Sequence, residues 1–336
     1  MKELHLTFVD TNHYLQSILS DDRKDCTTTA LLKLAGQTLV LRNILNTLYH
    51  IDTIRIPDKF SKVANLIEAN FPSIGIDAFN DDKTRRVNNN TICGSCYAGS
   101  GDPLIGSNSD TIENTIAISK ENEKNNSIQL SLNSVLWCPK QEGMSLYASL
   151  ITYPWNFLKI LQKLLYEELK QVRISSKASV SESSIIEGPC IIEDDVIIDD
   201  FCKIKGPSYI GKGSFIGMNS LVRNCAIGEE TQIGFNCELA TSYFGGHDKI
   251  SHQNVILDSI IGENVWFGGY TGTINILPDR ENIKYNIDDV LVDTGTNQFG
   301  AVVGNNCAVG ASVIILPGIQ ILPTSVVQAR TVIGKS

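Results

Sequence analysis

The 336-residue sequence lacks an excess of positive charge, a long apolar run and an even number of cysteines. Its 28 basic residues are outnumbered by 37 acidic ones, which argues against a nucleic-acid-binding surface. No stretch approaches the roughly 18 consecutive apolar residues of a membrane helix, and the first ten residues do not resemble a secretory signal. Nine cysteines in so long a chain do not suggest a disulfide framework. We therefore expect a cytoplasmic protein that binds neither membrane nor nucleic acid.

An aliphatic residue recurs every six positions through most of the second half of the chain. A small residue usually stands two positions before it, and a glycine often follows it. This pattern is the hexapeptide repeat of a left-handed parallel β-helix, in which three hexads form one turn and both side chains point inward. The hexads that we count predict six to seven turns. The longest series is Val180, Ile186, Ile192, Ile198, Ile204, Ile210, Ile216 and Val222, and a second one is Val303, Val309, Ile315, Ile321, Val327 and Ile333.

Five cysteines fall two positions before an aliphatic anchor, in the place of the small inward side chain. A free thiol there behaves as a small hydrophobe, so we interpret these cysteines as core residues. Cys93 and Cys96 form a lone CxxC with no second pair, and we interpret them as loop thiols rather than as a zinc or redox site. No metal site is predicted. The five cysteines are Cys190, Cys202, Cys225, Cys237 and Cys307.

The first half of the chain alternates short apolar strands with helices, which is typical of an α/β sandwich with a parallel core. An amphipathic helix at 154–170 then leads into the first hexads. We divide the chain into an α/β domain at residues 1–173 and a β-helix domain at residues 174–336. The earlier predicted elements are strands at His5–Val9, Thr53–Ile56, Ile74–Ile76 and 128–132, and helices at 38–48 and 60–71.

Tyr153-Pro154-Trp155, at the start of that helix, resembles the domain junction of the archaeal-type sugar-1-phosphate nucleotidyltransferases. These are relatives of the bifunctional glucosamine-1-phosphate acetyltransferase/N-acetylglucosamine-1-phosphate uridylyltransferase. Residues 252–318 are similar to the acetyltransferase region of that family almost segment by segment. The resemblance implies a Rossmann-type nucleotidyltransferase-like domain followed by a left-handed β-helix acyltransferase domain. It also implies a homotrimer, assembled through the β-helix, with sites between adjacent helices.

The first half departs from this family where nucleotidyl transfer needs a glycine-rich loop and cations to bind the triphosphate. Here Asp10–Leu15 follows the first predicted strand, and no glycine occurs before Gly36. Thr29 occupies the place of the family's lysine. We interpret the glycine-rich stretch Gly99–Pro103 as a surface turn. The sequence therefore predicts a degenerate domain that has lost nucleotidyltransferase activity.

The second half retains residue types that acyl transfer to an amine needs: a base, donors for the oxyanion and a groove for coenzyme A. By the resemblance, His252 is the general base and Asn275 binds the acceptor. Acetyl-CoA is the implied acyl donor. The implied cations for sugar phosphate or cofactor are Arg223, Arg280 and Lys284, and the implied contacts of the pantetheine arm are Ala301, Ala311 and Ser312.

Val255, Glu281 and Ala240 replace a tyrosine and two lysines of the family pattern, which weakens a phosphate site by charge alone. Two hypotheses follow. The first is a coenzyme-A-dependent N-acetyltransferase that acts on an amino-sugar phosphate or a related sugar amine. The second is a non-catalytic paralogue, a regulatory or scaffold subunit of a sugar nucleotidyltransferase/acetyltransferase assembly.

Overall fold

The computed structural model describes residues 153–287 and 289–334, together with short segments of the first half. The chain divides into two compact units, and Tyr153–Ser336 belongs to the second one. In the described residues, no helix is long and apolar enough to cross a membrane. The described segments of the first half are 3–7, 33–34, 37–38, 53–57, 64–65, 68–69, 72–73, 75–79, 115–117, 127–131, 134–137 and 147–150.

Four described strands of the first unit form a parallel sheet, in the order Gly75–Phe79, Thr53–Pro57, Glu3–Thr7 and Ser127–Ser131. They overlap the four predicted strands, and their ends are shifted by a few positions. Thr38, the first residue of the helix predicted at 38–48, ends a described strand, and the rest of that helix lies outside the described residues. Cys93, Cys96 and the stretches 10–15 and 99–103 also lie outside them, whereas 64–65 and 68–69 are helical within the predicted 60–71. The remaining described strands are Lys33–Leu34, Gln37–Thr38, Thr115–Ala117, Ser134–Trp137 and Tyr147–Leu150.

The repeats form a left-handed, three-sided coil, as predicted, and its described residues provide eight parallel strands on each face. The first face consists of Arg173–Ile174, Cys190–Ile192, Ser208–Ile210, Ala226–Ile227, Tyr243–Gly246, Ile260–Glu263, Ala301–Val303 and Ile319–Ile321. The second face consists of Ser179–Val180, Ile197–Ile198, Phe215–Ile216, Gln232–Ile233, Lys249–Ile250, Trp266–Phe267, Ala308–Val309 and Val326–Val327. The third face consists of Ile185–Glu187, Lys203–Lys205, Leu221–Arg223, Glu238–Ala240, Val255–Leu257, Gly272–Thr273, Ile314–Ile315 and Val332–Ile333.

The prediction of six to seven turns was wrong, because the count omitted the anchors Ile174, Phe244, Ile250 and Ile256. The last three follow a shortened turn, which breaks the period of six. Ile204 pairs with Val222, which follows it by three complete hexads, whereas the next pair, Val222 with Leu239, is one position shorter. The missing position is at the corner between the third and first faces, which turns on a single left-handed residue in these turns. Those residues are Asn224, Thr241 and Asp258, with φ of 53°, 50° and 45°.

The five described cysteines of the repeat lie inside the coil, as predicted, among the aliphatic anchors. Burial raises the pKa of the Cys225 thiol to about 12 and that of Cys190 to about 11. A thiol whose pKa is raised in this way stays protonated and unreactive at neutral pH. These cysteines therefore act as packing residues.

A helix at Pro154–Glu168 packs against the first face of the coil, and the two share one compact unit. Its start is fixed by Asn156, whose Oδ1 accepts the Tyr153 N–H at 3.0 Å. The Phe157 ring meets the Tyr243 ring edge-on, with centroids 5.0 Å apart. These contacts associate the helix with the coil, and the domain boundary after residue 173 stays a prediction.

Residues 276–299, called the excursion below, leave the coil after Asn275 and return at Phe299, where the Phe299 N–H donates to the Asn275 carbonyl at 3.0 Å. The excursion contains an antiparallel hairpin of Lys284–Ile287 and Val290–Asp293. The ring of Tyr285 packs 5.7 Å from that of Trp155 and 5.9 Å from that of Phe299. These aromatic contacts attach the hairpin to the start of the helix.

Candidate active site on two corners of the coil

His252 lies at the second corner, between the second and third faces, in the segment from Ser251 to Asn254. Its side chain is exposed, and its Nδ1 accepts the backbone N–H of Phe235, one turn below, at 3.0 Å. Its carbonyl accepts the N–H of Tyr270, one turn above, at 3.1 Å. The stacking of the turns therefore fixes both the backbone and the ring of this histidine.

The hydrogen bond from Phe235 assigns the tautomer of the neutral His252 ring. An imidazole nitrogen that accepts a hydrogen bond carries no proton, so the proton is on Nε2. In this state Nε2–H is a donor, suited to an oxyanion such as the one that forms on a thioester carbonyl. To take a proton at Nε2, the ring must adopt the other tautomer and release the Phe235 N–H.

Ala311 and Ser312 lie on the same corner as His252, two turns higher. Ser312 N–H donates to the Gly269 carbonyl at 2.9 Å, and Gly269 stands directly above His252 in the stack. Strands of neighbouring turns are about 4.8 Å apart, so Ala311 stands about 10 Å above His252. Both predicted cofactor residues are exposed. The structure thus brings the predicted base and two predicted coenzyme A contacts onto one edge.

Ala301, the third predicted cofactor contact, is elsewhere. It lies on the first face with its methyl group in the core of the coil, fully buried. Its N–H donates to Ser259 Oγ at 3.0 Å. The structure does not bring this residue to the corner of His252.

Asn275 and Arg223 both lie at the third corner, between the third and first faces, and Asn275 is three turns above Arg223. Asn275 Nδ2 donates to Asp258 Oδ2 at 2.5 Å, and an Arg223 Nη2–H donates to Glu238 Oε1 at 2.8 Å. Burial raises the pKa of Asp258, while the Asn275 hydrogen bond and the Arg223 charge act in the opposite direction. Asn275, Arg223, Glu238 and Asp258 form the third-corner cluster.

Sequence reasoning missed Glu238 and Asp258. The signal was present for Asp258, which occupies the corner position of a shortened turn and stands one such turn before Asn275. Glu238 carried no comparable signal, because its partner Arg223 belongs to the turn below and only the stacking of turns reveals the pair.

Arg280 and Lys284 lie on the excursion and are exposed. Arg280 adopts a left-handed backbone at a turn, and Lys284 stands opposite Asp293 in the hairpin register. Gly318 permits the hairpin to approach, since a Cβ there would be 2.6 Å from the Lys284 carbonyl oxygen. The Lys284 backbone therefore lies against Gly318, which stands at the third corner.

The residues that the structure describes contain no group of three or more His, Cys, Asp or Glu side chains arranged to hold a metal ion. The two corners carry an imidazole, carboxylates, a guanidinium and amides.

Residues 189–224 match the family model for the bacterial transferase hexapeptide, which consists of six repeats. The matched residues form two turns of the coil. The bifunctional protein GlmU of Methanococcus vannielii is 33% identical over 112 residues, which cover 33% of this chain and 27% of that protein. The bifunctional sugar-1-phosphate nucleotidylyltransferase/acetyltransferase of Sulfurisphaera tokodaii is 34% identical over 93 residues, covering 28% and 23%. The chain thus spans about a quarter of the length of these two relatives.

An uncharacterized acetyltransferase, YaiX of Escherichia coli, is 29% identical over 175 residues, which cover 52% of this chain and 69% of that protein. The similarity to archaeal bifunctional proteins is confined to the hexapeptide coil. The predicted resemblance is therefore confirmed for the coil.

Proposed function

We propose that this chain is a coenzyme-A-dependent acyltransferase that acetylates the amine of an amino sugar or amino-sugar phosphate. The observation that carries the proposal is the alignment of His252, Ala311 and Ser312 on one edge of a coil whose residues 189–224 match the transferase hexapeptide model. An extended pantetheine arm lying along that edge would contact the upper turns and place its thioester near the imidazole.

In the proposed reaction the ammonium of the acceptor first releases one proton to solvent, and the neutral amine nitrogen attacks the thioester carbonyl carbon of acetyl-CoA. The nitrogen of the tetrahedral intermediate then gives its second proton to His252 Nε2, once the ring has released the Phe235 N–H. The C–S bond breaks as the intermediate collapses to the amide, and His252 passes that proton to the sulfur, so coenzyme A leaves as the thiol. Asn275 and the third-corner cluster hold the acceptor.

The two corners belong to different edges of one coil, so they act on one substrate only if two copies face each other. Six residues at about 3.3 Å each separate the second and third corners by roughly 15–20 Å along a face. We therefore place the second corner of one protomer against the third corner of its neighbour, in a homotrimer. Exposed apolar side chains on the second corner support this arrangement: Phe201, Phe235 and Tyr270 are 66%, 40% and 67% exposed.

The first unit is, in this proposal, a degenerate nucleotidyltransferase-like domain without nucleotidyl transfer, and the protein acts in the cytoplasm. The loss of nucleotidyl transfer is supported by the sequence, which has no glycine-rich phosphate loop after the first strand.

The test measures thiol release from acetyl-CoA with a panel of amino sugars, comparing wild type with His252→Ala and His252→Asn. Both variants should lose roughly 10²–10⁴-fold in turnover, the usual contribution of a general base. His252→Asn is the matched control for structure, because its amide oxygen can still accept the Phe235 N–H. The melting temperature of His252→Asn should equal that of wild type. Equal turnover in all three proteins would remove His252 from the mechanism, and no release by wild type with any acceptor would favour the scaffold hypothesis.

A further inference from the structure

The ring of His252 is attached to the turn below it and has room on the side of the turn above. Below is the peptide between Gly234 and Phe235, whose N–H donates to Nδ1 at 3.0 Å. Gly234 makes this approach possible, since a Cβ there would be 2.8 Å from Nδ1. Above stands Gly269, where a Cβ would meet only the His252 carbonyl oxygen, at 3.3 Å. The ring can therefore leave Phe235 by moving towards Gly269.

The hydrogen bond from Phe235 opposes proton uptake at Nε2. A neutral imidazole that accepts a proton at Nε2 carries its own proton on Nδ1, so two N–H groups would then point at each other. The ring has to leave Phe235, and their hydrogen bond is lost. A hydrogen bond of the usual net strength corresponds to a roughly two- to tenfold preference for the bonded tautomer.

Amines and oxygen nucleophiles differ in how far they offset this loss. After an amine has attacked, the nitrogen of the tetrahedral intermediate is positively charged, and its N–H forms a charge-assisted hydrogen bond to Nε2. Such a bond is about twice as strong as a neutral one. Water and hydroxyl groups are neutral when they attack, and they offer a neutral hydrogen bond in exchange for another. The loss of the Phe235 bond is therefore offset for an amine and not for water.

We propose that the peptide N–H of Phe235 is a positioning group that makes His252 selective for amines over water and hydroxyl groups. This inference rests on the proposed function, since it concerns the acceptor class of the same site. With the ring on Phe235, a water molecule beside Nε2 meets a donor instead of a base. The reaction that is suppressed is hydrolysis: the water oxygen attacks the thioester carbonyl carbon, the C–S bond breaks, and acetic acid and the thiol of coenzyme A are formed.

Phe235→Pro removes this N–H, and the chain itself shows that such a corner accepts proline. Pro323 precedes the left-handed Thr324 just as Phe235 precedes the left-handed Asn236. Phe235→Ala is the matched control, because it also loses the aromatic ring but retains the N–H. Thiol release from acetyl-CoA is measured for both full-length variants, with glucosamine and without an acceptor.

We expect Phe235→Pro to hydrolyse acetyl-CoA roughly two- to tenfold faster than Phe235→Ala does, which is the tautomer preference that it removes. The ratio of transfer to glucosamine over hydrolysis should fall in Phe235→Pro. Equal hydrolysis rates in the two variants would overturn the inference.

The tautomer is measured without any substrate, by ¹⁵N NMR of the histidine-labelled chain at a pH where the ring is neutral. His252→Asn identifies the His252 signals among those of the five histidines. We expect the proton on Nε2 in wild type and Phe235→Ala, and a mixture of tautomers in Phe235→Pro. A proton on Nδ1 in wild type would overturn the inference, as would the same tautomer in both variants.

Gly234→Ala is a second variant for the case that Phe235→Pro does not fold, because its Cβ displaces the ring from the same N–H. Gly217→Ala, one turn below, is its control: a Cβ there would also meet stacked backbone, at 2.7 and 2.8 Å, but no histidine. Gly234→Ala should raise hydrolysis above that of Gly217→Ala, and equal rates would contradict the inference. Failure of the proposed function is a separate outcome, namely no thiol release by wild type with any amino sugar.

Discussion

At the residue scale, the interior of the coil contains a carboxyl group, that of Asp248. Asp248 is fully buried in the column of small inward side chains, where Ser214 and Thr231 occupy the equivalent places of the two turns below. Its Oδ1 accepts the Val265 N–H at 2.8 Å and its Oδ2 accepts the Gly246 N–H at 3.2 Å. Burial raises its pKa to about 8, despite these two hydrogen bonds. The carboxyl is therefore protonated in the folded protein at neutral pH.

This residue predicts a pH dependence of stability. Between its ordinary pKa near 3.8 and the folded value of about 8, the folded state binds a proton that the unfolded state has released. The free energy of unfolding should consequently fall as pH rises across this range and level off above it. Asp248→Ser should reduce that slope, since Ser214 in the same column accepts a backbone N–H without a charge. Denaturant titrations on both sides of neutral pH measure the slope, and identical slopes in both proteins would contradict the assignment.

At the element scale, the corners of the coil depend on backbone contacts that exclude a side chain. A Cβ at Gly228 would be 2.4 Å from the Gly245 carbonyl oxygen, one turn above, whereas a Cβ at Gly269 would meet only the His252 carbonyl oxygen, at 3.3 Å. Contacts below 3.0 Å require the stacked turns to separate. The glycines of the repeat are thus unequal in their tolerance of substitution.

We predict that Gly228→Ala lowers the free energy of unfolding by about 1–3 kcal/mol, the usual effect of overpacking. Gly269→Ala is the control and should cost clearly less, because its contact can relax by a few tenths of an ångström. Chemical denaturation of the two variants beside wild type checks this. A similar loss of stability in both variants would contradict the argument that contact between stacked turns excludes a side chain at Gly228.

At the scale of the whole molecule, assembly decides whether the two corners form one site. We predict a homotrimer by light scattering at micromolar concentration. Tyr270→Asp should shift it towards monomers, because it places a charge on the exposed apolar edge of the second corner. Glu263→Gln, an exposed side chain at the corner between the first and second faces, is the control. A wild-type monomer at this concentration would refute the arrangement.

The first unit provides a second prediction at this scale. Without a glycine-rich anion-binding loop, the chain should show no millimolar or tighter affinity for UTP or dTTP with magnesium. Calorimetry measures this directly. Saturable nucleotide binding, or pyrophosphate release with a sugar 1-phosphate, would contradict it.

The sequence by itself determined the coil, its hand and the inward position of the five cysteines. This was possible because each hexad specifies its own local geometry, and the next turn repeats it one strand spacing away. The same pattern predicted His252 at a corner, whereas Ala311 and Ser312 were predicted from the family resemblance. The count of turns was too low, since a series at period six breaks at each corner that turns on one residue, and the anchors Phe244, Ile250 and Ile256 were not counted.

Only the tertiary structure decided which corners coincide and how their charges are paired. His252 and Asn275 are little more than one turn apart along the chain, yet they lie on different edges, because one face of the coil intervenes. The pairing of Arg223 with Glu238 and the bond from Phe235 to His252 join neighbouring turns. Such contacts depend on which side chains the shortened turns bring into register, and no local pattern encodes that register.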